Sequence, residues 1–338
     1  MSELDEGLLT AEVTPDTETK RFAPGELLTC DTCLRANPPT RTQCLYCGAE
    51  LQRTAWSAAS AAKAKETEAN RIYIVGRVPA GGSIAAAVVD QLASQFQFKP
   101  AELKAGISLA APLLLTSASR GQNPELLSEL QECGFETFSI PASDVQTGSA
   151  ATKIRSLEFT ETTLSALTTS PVEQLCAAWD DLALIVSGRL QTSRVEVDER
   201  PSRDSVKRLD RRELSQDESV IDLCVKSGTA WRIGAHDFDF SCLGEQKSLT
   251  VFDNLRLLIQ LLARRSGAEV NDAYVRIRPL LAGVWPLEIS SSKGRSRRPR
   301  ASHKDVSTVT ATDNVTQFNN YSRLAWSVKL RELQSQKP

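Results

Sequence analysis

The hydrophobic pattern takes hold only at Arg71. Residues 1–25 are polar and broken by prolines, with neither a helical nor a strand period, which predicts a flexible leader. Residues 53–70 are rich in alanine and charge and lack an apolar stripe wide enough for a core, so they read as a helical or flexible spacer. From Arg71 the run RIYIVGRV has the β-branched and aromatic content of a strand. The pattern then predicts strand 71–78, helix 83–97, helix 99–110, strand 112–117, helix 123–133 and strand 135–140. Gly81-Gly82 stops the first strand, Asn123-Pro124 opens a helix and Gly134 ends it. The order is β-α-α-β-α-β.

The serine- and threonine-rich stretch 143–171 predicts a linker with one short strand at 154–159. A further domain is expected over 172–289. Its opening PVEQLCAAWDDL reads as a helix, and ALIVSGRLQTSRVEVDE alternates as a hairpin. The charged stretch RPSRDSVKRLDRRELSQDE separates these from two strands, SVIDLCVKS and TAWRIGAHDFDF, joined by a turn at Ser227-Gly228. Ser248 is expected to cap a helix bearing Val251, Leu255, Leu258 and Leu262 on one face. A shorter helix or strand over 270–282 completes this domain. Residues 290–314 read as a basic flexible tail. Residues 315–334 predict an amphipathic helix with Phe318, Tyr321, Ala325 and Val328 on one face, flanked by Leu324, Trp326 and Leu330.

Composition adds bounds to this pattern. At 338 residues and 41% hydrophobic content, the chain is long enough for several globular cores. Its 40 basic and 42 acidic residues nearly cancel, which removes a global electrostatic case for nucleic acid or an anionic membrane. The opening MSELDEGLLTAEVTPD lacks the basic start and apolar region of a secretory signal. The longest apolar stretch, near Ile107 to Leu115, is interrupted by Pro112 and too short to span a bilayer. A reducing cytoplasmic location is therefore expected, and there clustered cysteines favour metal over disulfides.

Four of the eight cysteines form such a cluster, with the spacing Cys30-x2-Cys33-x10-Cys44-x2-Cys47. Zinc prefers four thiolates in a tetrahedron at about 2.3 Å, and two C-x-x-C knuckles present sulfurs in the pairs that close it. A closed site leaves no position for water, so the expected role of the ion is structural. A segment this short buries too little surface to fold alone, and the metal supplies the missing free energy. Asn37-Pro38-Pro39 makes the turn between knuckles, and Gly48 follows the second pair. The other cysteines, Cys133, Cys176, Cys224 and Cys242, are scattered in apolar or strand-like surroundings, as buried free thiols usually are.

The segment CDTCLRANPPTRTQCLYCGAEL resembles short bacterial four-cysteine zinc ribbons, and its spacing is similar to that of Ran-binding-protein-type zinc fingers, with Asn37 in the matching place. Leu28 stands where the latter family has tryptophan, and Leu34-Arg35 where its ubiquitin-binding members carry Thr-Phe. What the resemblance implies is therefore a connector or protein-contact module. Within 71–142, FKPAELKAGISLAAPLLLTSASRGQNPELLSELQECGFETFSI resembles the C-terminal domain of the large-subunit ribosomal stalk protein, through Ala111-Pro112, Leu127, Leu130 and Gly134. That resemblance rests on core and turn positions and implies a fold. The expected architecture is α+β and multidomain: a four-cysteine zinc ribbon at 26–52, a small β-α-α-β-α-β domain at 71–142, and a C-terminal α+β domain at 172–289 with a flexible tail.

The remaining chemistry is sparse. Two histidines exist, His236 and His303, in different segments. His236 is expected on an alternating strand, facing with Phe238 and Phe240 and away from Asp237 and Asp239. No phosphate loop, dinucleotide fingerprint or G-x-S-x-G motif occurs. A hydrolase within 172–288 would need Asp222, Lys226, His236 and Asp237 to converge. Lys293, Arg295, Arg297, Arg298 and Arg300 form the one basic run, a candidate for phosphate contact. The C-terminal helix could dock on the chain itself, on a partner or at a membrane surface. The expected function is a non-enzymatic, zinc-binding adaptor or scaffold with a protein partner. Nucleic-acid binding through the ribbon and the basic run is the alternative.

Overall fold

In the computed structural model, Leu28–Thr29 (β1) and Ala36–Asn37 (β2) pair antiparallel, with Leu28 opposite Asn37 and Thr29 opposite Ala36. They belong to the first of two units, Met1–Glu66 and Thr67–Pro338. The structure describes residues 28–29, 36–37, 45, 70–79, 81–119, 124–146, 150–169, 171–201, 206–295 and 305–335.

In the second unit, strand β3 (Arg71–Arg77) is followed by helices α1 (Ala86–Gln95) and α2 (Pro100–Ile107), strand β4 (Leu113–Ser119), helix α3 (Pro124–Glu132) and strand β5 (Glu136–Pro141). This is the element order that the hydrophobic pattern predicts. Pro100 sits in the first turn of α2, where its missing N–H costs nothing. Gly134 takes a positive φ after α3, as a glycine at a helix end does. The strands form an antiparallel sheet in the order β4-β3-β5. Ile72, Tyr73, Ile74 and Val75 are all buried, so the central strand is apolar on both faces rather than alternating. A short helix, α4 (Ala142–Gln146), follows.

Chain 150–313 builds a nine-stranded sheet in the order β13-β14-β9-β10-β11-β6-β7-β8, with β12 pairing β9 off that path. Its strands are β6 (Thr152–Phe159), β7 (Thr163–Thr168), β8 (Gln174–Ala178), β9 (Leu182–Pro201), β10 (Val206–Val225), β11 (Ala230–Gly234), β12 (Glu269–Asn271), β13 (Glu288–Arg295) and β14 (Val306–Asp313). β9 and β10 run antiparallel for 20 residues each. Helices α5 (Val251–Ser266), α6 (Tyr274–Leu281) and α7 (Val315–Ser335) pack on it.

Several expectations are corrected here. The stretch 143–171 is no linker: it contains β6 and β7. The opening of the 172–289 segment is an edge strand, not a helix, because Leu175 and Ala177 turn inward at period two while Gln174, Cys176 and Ala178 face out. The charged stretch after Pro201 is the outer half of β10, whose polar residues pair across to β9 from Pro201 to Leu190. The presumed hairpin before it is the single strand β9. Over 290–314, a flexible tail gives way to β13 and β14, which pair with each other and, through β14, with residues 192–199 of β9. Arg295 is the last residue of β13, and 296–304 lie outside the described residues. Thr250, not Ser248, caps α5, with Oγ1 accepting from Asp253 N at 3.1 Å.

Two clusters of buried side chains hold the second unit. One lies between the sheet and α5, with Ile185, Ile221, Leu223, Ile233, Leu258 and Leu262. The other includes Tyr73, Ile74 and Leu113 of the three-stranded sheet, Leu184 and Val186 of β9, Tyr274 and Ile277 of α6, and Phe318, Tyr321 and Leu324 of α7. The segments 71–142 and 172–289, expected as separate domains, thus share one core. Helix α7 is its keystone, with Phe318, Tyr321, Leu324, Ala325 and Val328 at most 2% exposed. The facing predicted for this helix holds, but its apolar side is covered by the chain itself. Gly188 lets it approach β9: a Cβ there would lie 2.3 Å from the Phe318 ring.

Candidate metal centre

The four cysteines Cys30, Cys33, Cys44 and Cys47 lie outside the described residues, but described residues flank both pairs. β1 ends one residue before Cys30 and β2 begins three residues after Cys33, so the first C-x-x-C falls in the connection between two paired strands. Asn37 of β2 is fully buried, and its Oδ1 accepts a hydrogen bond from Leu45 N at 2.8 Å. Leu45 stands between Cys44 and Cys47 in the chain. One asparagine therefore ties the segment of the second cysteine pair to the strand that follows the first. A buried amide side chain making such a bond is costly to replace by an apolar one, because the Leu45 N–H loses its partner.

Among the described residues, no three His, Cys, Asp or Glu side chains are placed to hold a metal ion. The cysteines outside the cluster are free. Burial pushes the Cys224 thiol well up and the Cys242 thiol to about 11, so both stay protonated at neutral pH and make poor ligands or nucleophiles.

The residues suspected of hydrolytic chemistry are not brought together. Asp222, buried on β10, takes two hydrogen bonds from Arg232, Nε to Oδ1 and Nη2 to Oδ2, each 2.7 Å. Ser322 Oγ donates to Asp222 Oδ2 at 2.7 Å, and Asn319 Oδ1 accepts from Arg232 Nη1 at 2.7 Å. The guanidinium also lies 5.0 Å from the Phe318 ring centre. These bonds lock α7 to the sheet. Lys226, in the turn between β10 and β11, donates its backbone N–H to Asp181 O. His236 lies beyond the end of β11 in an exposed turn, not on a strand, and its Nε2 is 3.1 Å from Asp217 O. Asp237 pairs with Lys153 at 2.6 Å, and that hydrogen bond lowers its carboxyl below the usual range.

The basic run is divided. Lys293 and Arg295 belong to β13, while Arg297, Arg298 and Arg300 lie outside the described residues. The strands around Lys293 and Arg295 carry acids as densely as bases. Arg200 engages Asp305 at 2.7 and 3.0 Å, Arg212 meets Asp210 at 3.3 Å, and Arg211 meets Glu213 at 3.2 Å. No helix among the described residues is long and apolar enough to cross a membrane.

One surface feature escaped the sequence pattern. Leu249 is fully exposed and Phe252 is 71% exposed, beside Val251. The loop presenting them is tied down. Buried Asn254 accepts from Ser248 N at 2.6 Å and donates to Ser248 O at 2.9 Å, while Thr250 caps the helix. Val251, expected on the core face with Leu255, Leu258 and Leu262, is 44% exposed instead, because the helix begins there and the first turn stands clear of the sheet-facing side chains. Comparison with family models, with curated proteins and with solved structures finds no match to this chain.

Proposed function

We propose that this chain is a zinc-stabilised contact protein. One ion is held by Cys30, Cys33, Cys44 and Cys47 as a structural centre, and the 67–338 unit presents a surface to a protein partner. The observation that carries the reading is the paired C-x-x-C spacing framed by β1, β2 and the Asn37–Leu45 bond. Four thiolates saturate a tetrahedral zinc, so the ion stabilises the module and has no open position for a substrate. The partner surface is argued from the loop at 248–252. A rigid loop that exposes Leu249 and Phe252 loses little conformational entropy on binding, and large apolar side chains of this kind anchor interfaces.

Metal analysis of the native protein is expected to give one zinc per chain, and Cys33→Ser or Cys47→Ser to remove it. Zinc retained in both variants, or a metal-free native protein, would refute the centre. For the partner, enrichment from the native cell compares the intact protein with Leu249→Asp/Phe252→Asp, whose circular dichroism should be unchanged. Identical enriched proteins from both would remove this surface from the proposal.

A further inference from the structure

Among the described residues of the nine-stranded sheet, Asp198 and Glu218 each have a buried carboxylate oxygen without a hydrogen-bond partner, and Asp198 is the more deeply buried of the two. Asp198 of β9 is 4% exposed, and its Oδ1 is buried and accepts no hydrogen bond. The register fixes its neighbours. Asp210 of β10 stands directly opposite on one side and Ser307 of β14 on the other. Directly opposite side chains share a face, with Cβ atoms about 5 Å apart. Asp210 holds this place because of a bulge. Arg208 pairs with Glu199, so regular pairing would set Leu209 against Asp198, but the register shifts by one residue and brings Asp210 there instead.

Among the described side chains, the cations nearest on this face are already engaged. Arg200, two residues along β9, is held by both oxygens of Asp305. Arg212 is bonded to Asp210 Oδ2. Ser307 Oγ donates to Glu196 Oε1 at 3.0 Å, which leaves its lone pairs free to bind a cation. Like charges opposite one another destabilise a sheet, and a buried charge left without compensation is more costly still. A buried polar group without a partner in a native fold calls for an ion or an ordered water.

We infer that Asp198 and Asp210, with Ser307 Oγ, form the protein side of a site for a hard divalent cation of the magnesium and calcium class. The donors are two carboxylates and a hydroxyl, all oxygen, with no sulfur or imidazole among them, which selects such ions over zinc. Because no three acidic groups converge tightly enough to enclose an ion, the cation completes its shell with water, as magnesium characteristically does. The ion would join β9, β10 and β14 at the outer half of the sheet, where neither buried apolar cluster includes a described residue of β9 beyond Leu190 or of β14. This site is independent of the cysteine centre.

The test uses the full zinc-loaded chain freed of other metals, titrated separately with magnesium chloride and calcium chloride while thermal unfolding and binding heat are followed. The native protein should take up one equivalent beyond its zinc, with a saturable rise in melting temperature. Asp198→Asn should melt above the native protein without divalent ion, since it removes an uncompensated charge, and below it at saturating ion. Ser307→Ala should keep the fold and weaken binding, and zinc content should be unchanged in every variant. Three results overturn the site: no saturable response of the native protein up to about 10 mM, roughly tenfold above the weakest class of protein calcium sites; an unaltered response in Asp198→Asn; or a variant more stable than native at every ion concentration. Should Asp198→Asn fail to fold, Asp210→Asn, which keeps the buried Asp198, should lose most of the ion-dependent rise in melting temperature, and an unaltered rise overturns the site.

Discussion

Single residues decide how α7 is held. Asp222 and Arg232 are 2% and 15% exposed at their side chains, and each is fully hydrogen-bonded only through the other and through Ser322 and Asn319. Breaking one side of a buried pair strands the other charge. Asp222→Asn is therefore expected to cost about 3–5 kcal/mol, whereas the paired replacement Asp222→Leu/Arg232→Met recovers most of that loss; urea unfolding of the three proteins checks both. Tyr274 gives a prediction in pH. Its phenol is buried beside Asn314 and Gln317, and burial pushes its pKa from 10.0 up to about 12. The folded state thus holds the proton more tightly than the unfolded one. The resulting stability is complete below pH 10.0 and is lost as pH rises through about 12. Tyr274→Phe should show a shallower alkaline fall in urea midpoint than the native protein. The importance of Asp222 was visible in the sequence only as an acidic residue in a strand, because its partner Arg232 comes from the neighbouring strand.

At the scale of elements, α7 does the work expected of a core helix. Its period was legible, since Phe318, Tyr321, Ala325 and Val328 repeat at helical spacing and all prove buried. What covers that face was not legible, because β3, α6 and β9 are distant in sequence. A chain ending at Asp313 loses Phe318, Tyr321, Leu324 and Val328, each worth about 1.5–3 kcal/mol when buried, a sum that rivals the whole stability of a typical domain. Such a chain should lose near-ultraviolet circular dichroism and bind a hydrophobic dye, while the full chain does neither. Cutting at Ser290 would remove most of β13 and all of β14 as well as α7. The outer sheet shows the opposite balance. β13 and β14 have little apolar content; β14 is a strand because β9 offers it a pairing edge, and β13 because β14 offers the next one.

In the whole molecule, the two units divide at Glu66, and among the described residues both core clusters of the second draw on Ile72 and later positions. On the proposal that the four cysteines hold zinc, a chelator should release one ion per chain and leave the main melting transition of the 67–338 core within about 1 °C of its starting value, since a ligand stabilises the unit it binds. A large downward shift on chelation would show that a metal bound by this protein supports that core. By itself the sequence determined what local physics fixes: the thiol spacing, the turn and cap residues, the β-α-α-β-α-β succession and the apolar stripe of α7. Each depends on residues within a few turns of one another. The tertiary structure alone decided that one core joins 71–142 to 172–289, and that the charged segments of β10, β13 and β14 are strands. It alone set a carboxylate opposite Asp198. Pairing partners more than a hundred residues apart, as β9 and β14 are, leave no period in the chain, and a single bulged residue changes which side chains meet.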